Sequence, residues 1–572
     1  MGKAKLTRRD FIKGAGLTGV AAAGTLALAP ALTSGQAVAD EVAQDRMSMY
    51  VEALGGDATM LPMLPAECPG PRGPIAFEDR EIADSEITST EETDVLVVGA
   101  GIGGLIGTLK AADLGANVVA LEKMTEGRAS WESFGAVGAR FQVEQKLDID
   151  PAQLKDEILR AADWRVDPQT IESYISHSGE VADFWQDQMD KVNSGIEMYK
   201  FDQAPNYNGF PVIDSYVNFK LPEGTSKTWL FGLYVCEALR DAVATYDTAE
   251  IRYSTPAVQL IREDGGRVTG AIAKTADGSY IRINASKGVL LATGGYDANP
   301  EMMQAWIRPE DYQYSSWWNP SWGTTGDGHM MGLKVGADMD SLPHAVMNFS
   351  NATPGTFVEK RVYFPGPMNY GIIVNEEGKR FVNENNPRQY VSNCVNVQMR
   401  RGHTCYSIWN QEIFGDKFEQ VPTAEDQVAL DEAKGFLFRA DTLDELAEKA
   451  GIDAEGLKDT VARYNKAFED GLEREEEFYR YTGNNVPISD QGPFYALLST
   501  SVVLATVSGL TIDGNANVLD RAGKPIEGLY ATGNASGNFY SGNYPRHIPG
   551  TSVGRAATFG YVAAMHMLEG GN

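Results

Sequence analysis

With 78 acidic against 49 basic side chains, this chain of 572 residues carries a net charge of −29. That field repels polyanions, which excludes nucleic acid as a partner and favours basic proteins among those it would steer. Its length supports two or more domains with a substantial core.

The chain opens on Thr7-Arg8-Arg9-Asp10-Phe11-Ile12-Lys13, a run rich in Gly, Ala and Thr, and then Ala37-Val38-Ala39. This looks like a twin-arginine export signal over residues 1–39 with a small-residue cleavage site, the alternative being an uncleaved anchor. An exported protein of this kind ends outside the cytoplasm, in the periplasm or at the outer face of the membrane it crosses. That route carries folded proteins, which suits an enzyme loaded with its cofactor before export. Residues 40–90 contain Pro and acids but only short apolar runs, and read as an arm laid over the surface.

Residues 94–122 then read as strand, glycine turn, helix and strand. Val95 to Val98 suit a parallel strand buried on both faces, and Gly99-Ala100-Gly101-Ile102-Gly103-Gly104 satisfies G-x-G-x-x-G. Gly99 permits the tight turn, Gly101 the approach of a pyrophosphate, and Gly104 the close packing of helix on strand. The helix is predicted to stop at Gly115, and the strand Val118 to Leu121 delivers Glu122, where an acid can bind a ribose diol. An ordinary α/β turn that needs glycine for packing alone leaves Glu122 unexplained.

Further on, Phe134 to Ala139 brings small residues suited to close approach by a ligand. Alternating runs from Arg252 to Ile283 predict a small antiparallel excursion around two Asp-Gly turns. Gly288 to Gly295 is a second buried strand ending in Thr293-Gly294-Gly295, which favours a flavin over a nicotinamide. Thr325-Gly326-Asp327-Gly328 opens a helix through Lys334, with Asp327 either a structural cap or a cofactor contact. Residues 348–499 are more charged and helical, with stops at Gly451 and Gly471 and capping candidates at Thr442 and Asp444, and form an inserted second domain. Apolar strands return from residue 500, and a helix closes the chain over 550–568. The cysteines and histidines show no C-x-x-C, C-x-x-C-H or H-E-x-x-H spacing, which argues against haem attachment, an iron–sulfur cluster or a metal centre; a Cys394–Cys405 disulfide stays open. Tyr312, Tyr314, Trp317, Trp318 and Trp322 are either packing or an aromatic wall for a flat substrate.

Together, VVGAGIGG, LEK at 121–123, LLATGGYDAN, TGDG, GIIVNEEGKRFVNE at 371–384, LKDTVARYN, GLYATGN and the terminal TFG resemble the flavoprotein family of fumarate reductases, urocanate reductases and ketosteroid dehydrogenases over most of residues 91–572. The resemblance implies an α/β fold: a discontinuous Rossmann-like FAD-binding domain (91–347 and 500–572) with an inserted α+β clamp domain (348–499) closing over substrate. It implies noncovalent FAD lined by Gly99, Ala100, Gly101, Gly103, Gly104, Glu122, Lys123, Ser130, Gly135, Thr293, Gly294, Asp327, Asn534, Ser552 and Val553. Ser130 and Asn534 stand where the family usually has Asn and Glu.

The family's catalytic arginine falls on Arg388, within Asn383-Glu384-Asn385-Asn386-Pro387-Arg388. Its proton relay falls on Phe364 and Pro367, so the usual relay is absent. The family's H-T-M-G-G-L becomes Ala505-Thr506-Val507-Ser508-Gly509-Leu510, and its second carboxylate-binding arginine falls on Tyr544, with Arg546 two positions on. Gly542-Asn543-Tyr544-Pro545 and Gly550 instead resemble the tyrosine and glycine that polarise an enone carbonyl in ketosteroid dehydrogenases, and Tyr540 is placed to supply a proton. The resulting expectation is an exported FAD-dependent reductase of an activated C=C bond, an enoate or enone other than fumarate. Hydride comes from flavin N5, the proton from Arg388 or a tyrosine, and electrons from a separate carrier such as a cytochrome c or a membrane quinol-linked protein. The alternatives are a ketosteroid-dehydrogenase-like enzyme that introduces a C=C bond, and a noncatalytic flavin electron carrier.

Overall fold

The computed structural model describes residues 73–125, 133–147, 149–200, 213, 215–225, 231–317, 323–352, 371–414, 428–429, 432–433, 435–483, 485–545 and 547–570. Residues 1–39, most of the 40–90 arm, Ser130, Trp318, Trp322, Phe364, Pro367, Arg546 and the side chain of Trp317 lie outside it.

The fold is built on a largely parallel sheet in the order 517–519, 525–531, 280–291, 87–98, 118–121 and 249–252. Val95–Val98 pair in parallel with Val118–Leu121 on one side and with Gly288–Leu291 on the other. Strands covered on both faces need a continuous apolar run, and Val95 to Val98 are all buried. The first strand is longer than its apolar stretch suggests. It starts at Ile87, where Ile87 to Thr93 pair with Tyr280 to Ala285, so the end of the expected arm belongs to the sheet. Those residues are mostly polar because this half of the strand is largely exposed.

The strands 257–262, 268–274 and 280–291 form the antiparallel excursion, turning at Asp264 and Gly265, both with positive φ, and at Gly278. The helix Ile102–Asp113 runs off the glycine turn and crosses the last helix, Thr551–Glu569. They touch backbone to backbone: a Cβ on Gly560 would lie 2.1 Å from the Gly103 carbonyl oxygen. Leu105, Ile106 and Leu109 then share a core with Ala556, Ala557 and Tyr561.

A separate antiparallel sheet takes strands 372–375, 405–410, 494–498 and 437–440 in that order and has its own apolar core around Ile408, Trp409, Leu446, Leu457 and Tyr464. Two helices, Leu443–Ala450 and Ala454–Glu469, cover it. Thr442 caps the first, accepting from Glu445 N at 3.2 Å, and Gly451 ends it in the left-handed conformation. The second is capped by Asp453; Asp444 instead sits in the first turn of its predecessor. Between the two sheets the chain passes through strands 315–317, 346–352 and 500–506, which pair with one another. Cys394 and Cys405 are free thiols, so the disulfide left open by the sequence is absent. Among the described residues no helix is long and apolar enough to cross a membrane, and no group of side chains has metal-binding geometry.

Candidate active site

The glycine turn separates its three tasks by distance. Gly99 has φ +103°, and a Cβ there would meet Ala292 O at 2.4 Å; a Cβ on Gly104 would lie 1.9 Å from Gly99 O. Those two glycines close the turn on the sheet and the helix. A Cβ on Gly101 would meet nothing within 4 Å, so the third leaves an open face. Gly101 is also the N-cap of the helix and offers no capping side chain, leaving first-turn N–H groups for an anion.

Glu122 holds the mouth of this turn. It is 9% exposed, and its two carboxylate oxygens accept from Ala100 N at 3.1 Å and Met124 N at 2.9 Å, each keeping lone-pair capacity for a diol. On the neighbouring strand end, the hydroxyl of Thr293 is buried without a partner, beside Gly294 at φ +74°. The open glycine face, the uncapped helix, the poised carboxylate and the orphan hydroxyl all lie at the carboxyl end of the parallel strands, where open α/β sheets bind their ligands. They fit an adenine dinucleotide.

Lys123 and Asp327 form an ion pair at 2.6 Å. Asp327 Oδ1 accepts from Ala76 N and Phe77 N at 2.8 and 3.0 Å, while Lys123 donates to Pro74 O and Thr325 Oγ1. Their side chains tether residues 74–77 to the sheet, a use that the motif TGDG did not reveal. Gly135 donates its N–H to Gly550 O at 2.9 Å and accepts from Tyr174 OH at 3.0 Å, and Gly550 has φ +82°. Asn534 Oδ1 lies 3.5 Å from Ser552 Oγ and 3.3 Å from Arg555 Nη2. Val553, on the last helix, packs against the core under the glycine turn.

The loop that leads to Arg388 is fixed from beneath by buried charge. Arg380 and Glu384, both with fully buried side chains, pair at 2.7 Å, and Arg480 and Glu475 extend the network. The paired guanidinium groups hold the Glu384 carboxyl below its usual range against the opposing effect of burial. Asn383 Nδ2 donates to Phe478 O, and Asn385 Oδ1 accepts from Arg480. The stretch N-E-N is therefore a scaffold, and it delivers Arg388 as the first residue of the helix Arg388–Arg400.

That helix meets the glycine-turn half of the molecule through amides. Gln389 accepts from Asn348 N, Asn393 donates to Asn543 Oδ1 at 3.1 Å, and Asn396 donates to Asp311 Oδ1 at 3.0 Å. Asn543 precedes Tyr544, whose ring lies 5.2 Å from that of Tyr540. Both tyrosines are buried; Tyr540 donates to Thr551 Oγ1 at 2.9 Å and lies under the guanidinium of Arg555 at 4.6 Å. Burial lifts the Tyr540 phenol well above its ordinary range, so this group holds its proton.

Arg388, Tyr544 and Tyr540 are thus linked through one helix and one loop. Sequence reasoning missed Arg555, fully buried within the apolar-looking TSVGRAATFG, and Arg308, which carries no motif. Thr506, in the altered H-T-M-G-G-L stretch, accepts from Tyr296 N, and His329 and His344, packed around the Tyr296 ring, are lowered by burial to about 4 and stay neutral. Tyr312 packs with Trp306 against the small core of Met302 and Met303, a structural position.

The FAD binding domain family model matches residues 94–552. The chain is 29% identical over 482 residues to the urocanate reductase of Eggerthella lenta, covering 83% of this chain and 74% of that protein. It is 26% identical to the 4-oxocyclohexanecarboxylate 2-dehydrogenase of Sinomonas cyclohexanicum, covering 82% and 92%. In fold it is similar to the 3-ketosteroid delta1-dehydrogenase of Sterolibacterium denitrificans, with a TM-score of 0.66, 21% identity and coverage of 84% and 100%. A dinucleotide cradle of this geometry in a chain matched over most of its length places the protein in the FAD-binding family, as a flavoprotein that binds FAD.

Proposed function

We propose that the protein is an FAD-dependent reductase of an activated C=C bond, acting on an α,β-unsaturated carboxylate or ketone other than fumarate. The observation that carries this reading is the bridge from the Arg388 helix to the Tyr544 loop through Asn393 and Asn543. It joins the helix that begins with Arg388 to the loop that carries Tyr544, two segments far apart in the chain. Bound FAD supplies or accepts the hydride. Arg388 orients the substrate carbonyl or carboxylate with its planar fork and offsets the charge that grows there. Tyr544 donates a hydrogen bond to the same polarised oxygen or a proton to the α-carbon. The four-stranded unit serves as the clamp that excludes water when it closes. FAD is held noncovalently; a separate carrier, a cytochrome c or a quinol-linked protein, reduces it, and the twin-arginine signal exports the loaded enzyme.

The relatives include both a reductase and a dehydrogenase. A second reading, introduction of a double bond with Tyr544 as base, is favoured by the dehydrogenase among the relatives. Reduced dye with unsaturated acids and ketones, run against oxidised dye with their saturated counterparts, separates the two: the reductase reading expects turnover in the first assay at least tenfold faster. A flavin-loaded preparation inert toward both panels would leave an electron carrier.

A further inference from the structure

Arg308 stands at the same junction and belongs to no motif. Its backbone is fixed on both sides, by the bridge between Ile307 and His344 and by Tyr312 N donating to its carbonyl. Its side chain is part-buried, and among the described residues the guanidinium makes no hydrogen bond and no ion pair. The neighbouring acids are committed elsewhere: Glu310 bonds Arg400, and Asp311 Oδ1 accepts from Asn348 and Asn396. Asp311 is close enough to feel the Arg308 charge but does not bind it.

The guanidinium points at the loop before Tyr544. A Cβ on Gly542 would lie 2.7 Å from Arg308 Nη2, so glycine at 542, with φ +78°, leaves room for the cation to reach this loop. The next residue, Asn543, is bonded by Asn393 of the helix that Arg388 begins, so Arg308, the Tyr544 loop and this helix meet at one junction. Half-buried guanidinium groups normally find acceptors, because their donors lose water without recompense. One left open beside a substrate loop is a receptor for an anion with two coplanar oxygens.

We infer that Arg308 binds the carboxylate of the substrate, so that the substrate class is an unsaturated carboxylic acid and not a neutral ketone. This rests on the reductase reading for turnover but not for binding. The test uses full-length, flavin-loaded protein and its Arg308→Gln and Arg308→Lys variants, with flavin content and thermal midpoint checking the fold. Dye-reduced enzyme is assayed with acrylate, crotonate and cinnamate and with their methyl esters, and the saturated acids are titrated into oxidised enzyme by calorimetry.

Arg308→Gln is expected to weaken the acids about 100-fold in KM and Kd while the esters change less than about threefold, and Arg308→Lys to recover part of the loss. Equal losses for acids and esters, unchanged acid binding, or a wild type that binds no acid overturns the inference. Should Arg308→Gln fail to load flavin, the acid-to-ester ratio of Arg308→Lys decides alone, an unchanged ratio overturning it. A wild type that binds saturated acids through Arg308 yet reduces none of the panel defeats the reductase reading and leaves the anion site standing.

Discussion

Arg388 shows how a residue's setting decides what its loss does. It starts a helix rather than lining the glycine turn, and the loop before it is held by Arg380, Glu384 and Arg480. Arg388→Ala is expected to cut turnover at least a thousandfold with FAD still bound, and Arg388→Lys to fail as well, because an ammonium cannot reproduce the planar fork. Steady-state assays at matched flavin content check both. A buried carboxyl gives a second, independent expectation. Asp297 is raised from 3.8 to about 7 by burial, only partly offset by its bond from Thr324 Oγ1. Its folded pKa lies above its unfolded value, so its contribution is fully present below about pH 4 and is lost as pH rises through about 7. Asp297→Asn mimics the protonated form and should raise stability at pH 8, by on the order of 2–4 kcal/mol, with no gain at pH 4. Denaturant midpoints of both proteins across that range test it. His329 and His344 act in the opposite direction, since their lowered values cost stability as pH falls from 6.5 toward 4, and a comparison with the variant cancels them.

At the scale of elements, the glycine turn makes a sharp distinction between folding and binding. Gly101→Ala adds a methyl where nothing lies within 4 Å, at a residue whose φ of −77° suits alanine. It should keep the thermal midpoint of the apoprotein and weaken FAD at least tenfold. Gly104→Ala drives a methyl to 1.9 Å from Gly99 O and should prevent folding or cost several kcal/mol. Melting and flavin titration of the two variants separate the roles. This turn was legible in sequence because each glycine answers a local demand, and so were the last helix and the Asp327–Lys334 helix, whose starts are marked by Gly550 and Gly326, both with positive φ. The polar half of the first strand was not legible. Its pairing with Tyr280–Ala285 is set by a partner almost two hundred residues away, and its exposed side chains carry no apolar period. Asp453 was passed over for Asp444 because both precede helical runs, and only the turn at Gly451 shows which helix begins where.

The proposed substrate site is assembled only at the scale of the whole molecule, which is why the sequence showed its parts but not their relation. Arg308, Arg388 and Tyr544 come from three separated segments, and the amides that join them, Asn393 and Asn543, look like surface residues in a one-dimensional reading. Their assembly dictates what the closed site accepts. In the proposed site Arg308, Arg388 and Tyr544 all serve the one carboxylate conjugated to the C=C bond. The opposite end, where the family pattern has a histidine, has the part-buried Ala505. Fumarate carries two charges into this space, and a desolvated carboxylate without a cation costs at least several kcal/mol, a loss of roughly a thousandfold. A monocarboxylate with an apolar or aromatic remainder places that remainder against Ala505 at no such cost. Dye-reduced enzyme is therefore expected to reduce aryl or alkyl enoates at least about 100-fold more efficiently in kcat/KM than fumarate. Introducing the missing base with Ala505→His should narrow the gap from the fumarate side, most strongly below pH 6.5 where an imidazole is protonated. A panel in which fumarate reacts fastest, or in which Ala505→His leaves the ratio untouched, would show that the second charge is met by a group other than those that form this end of the site.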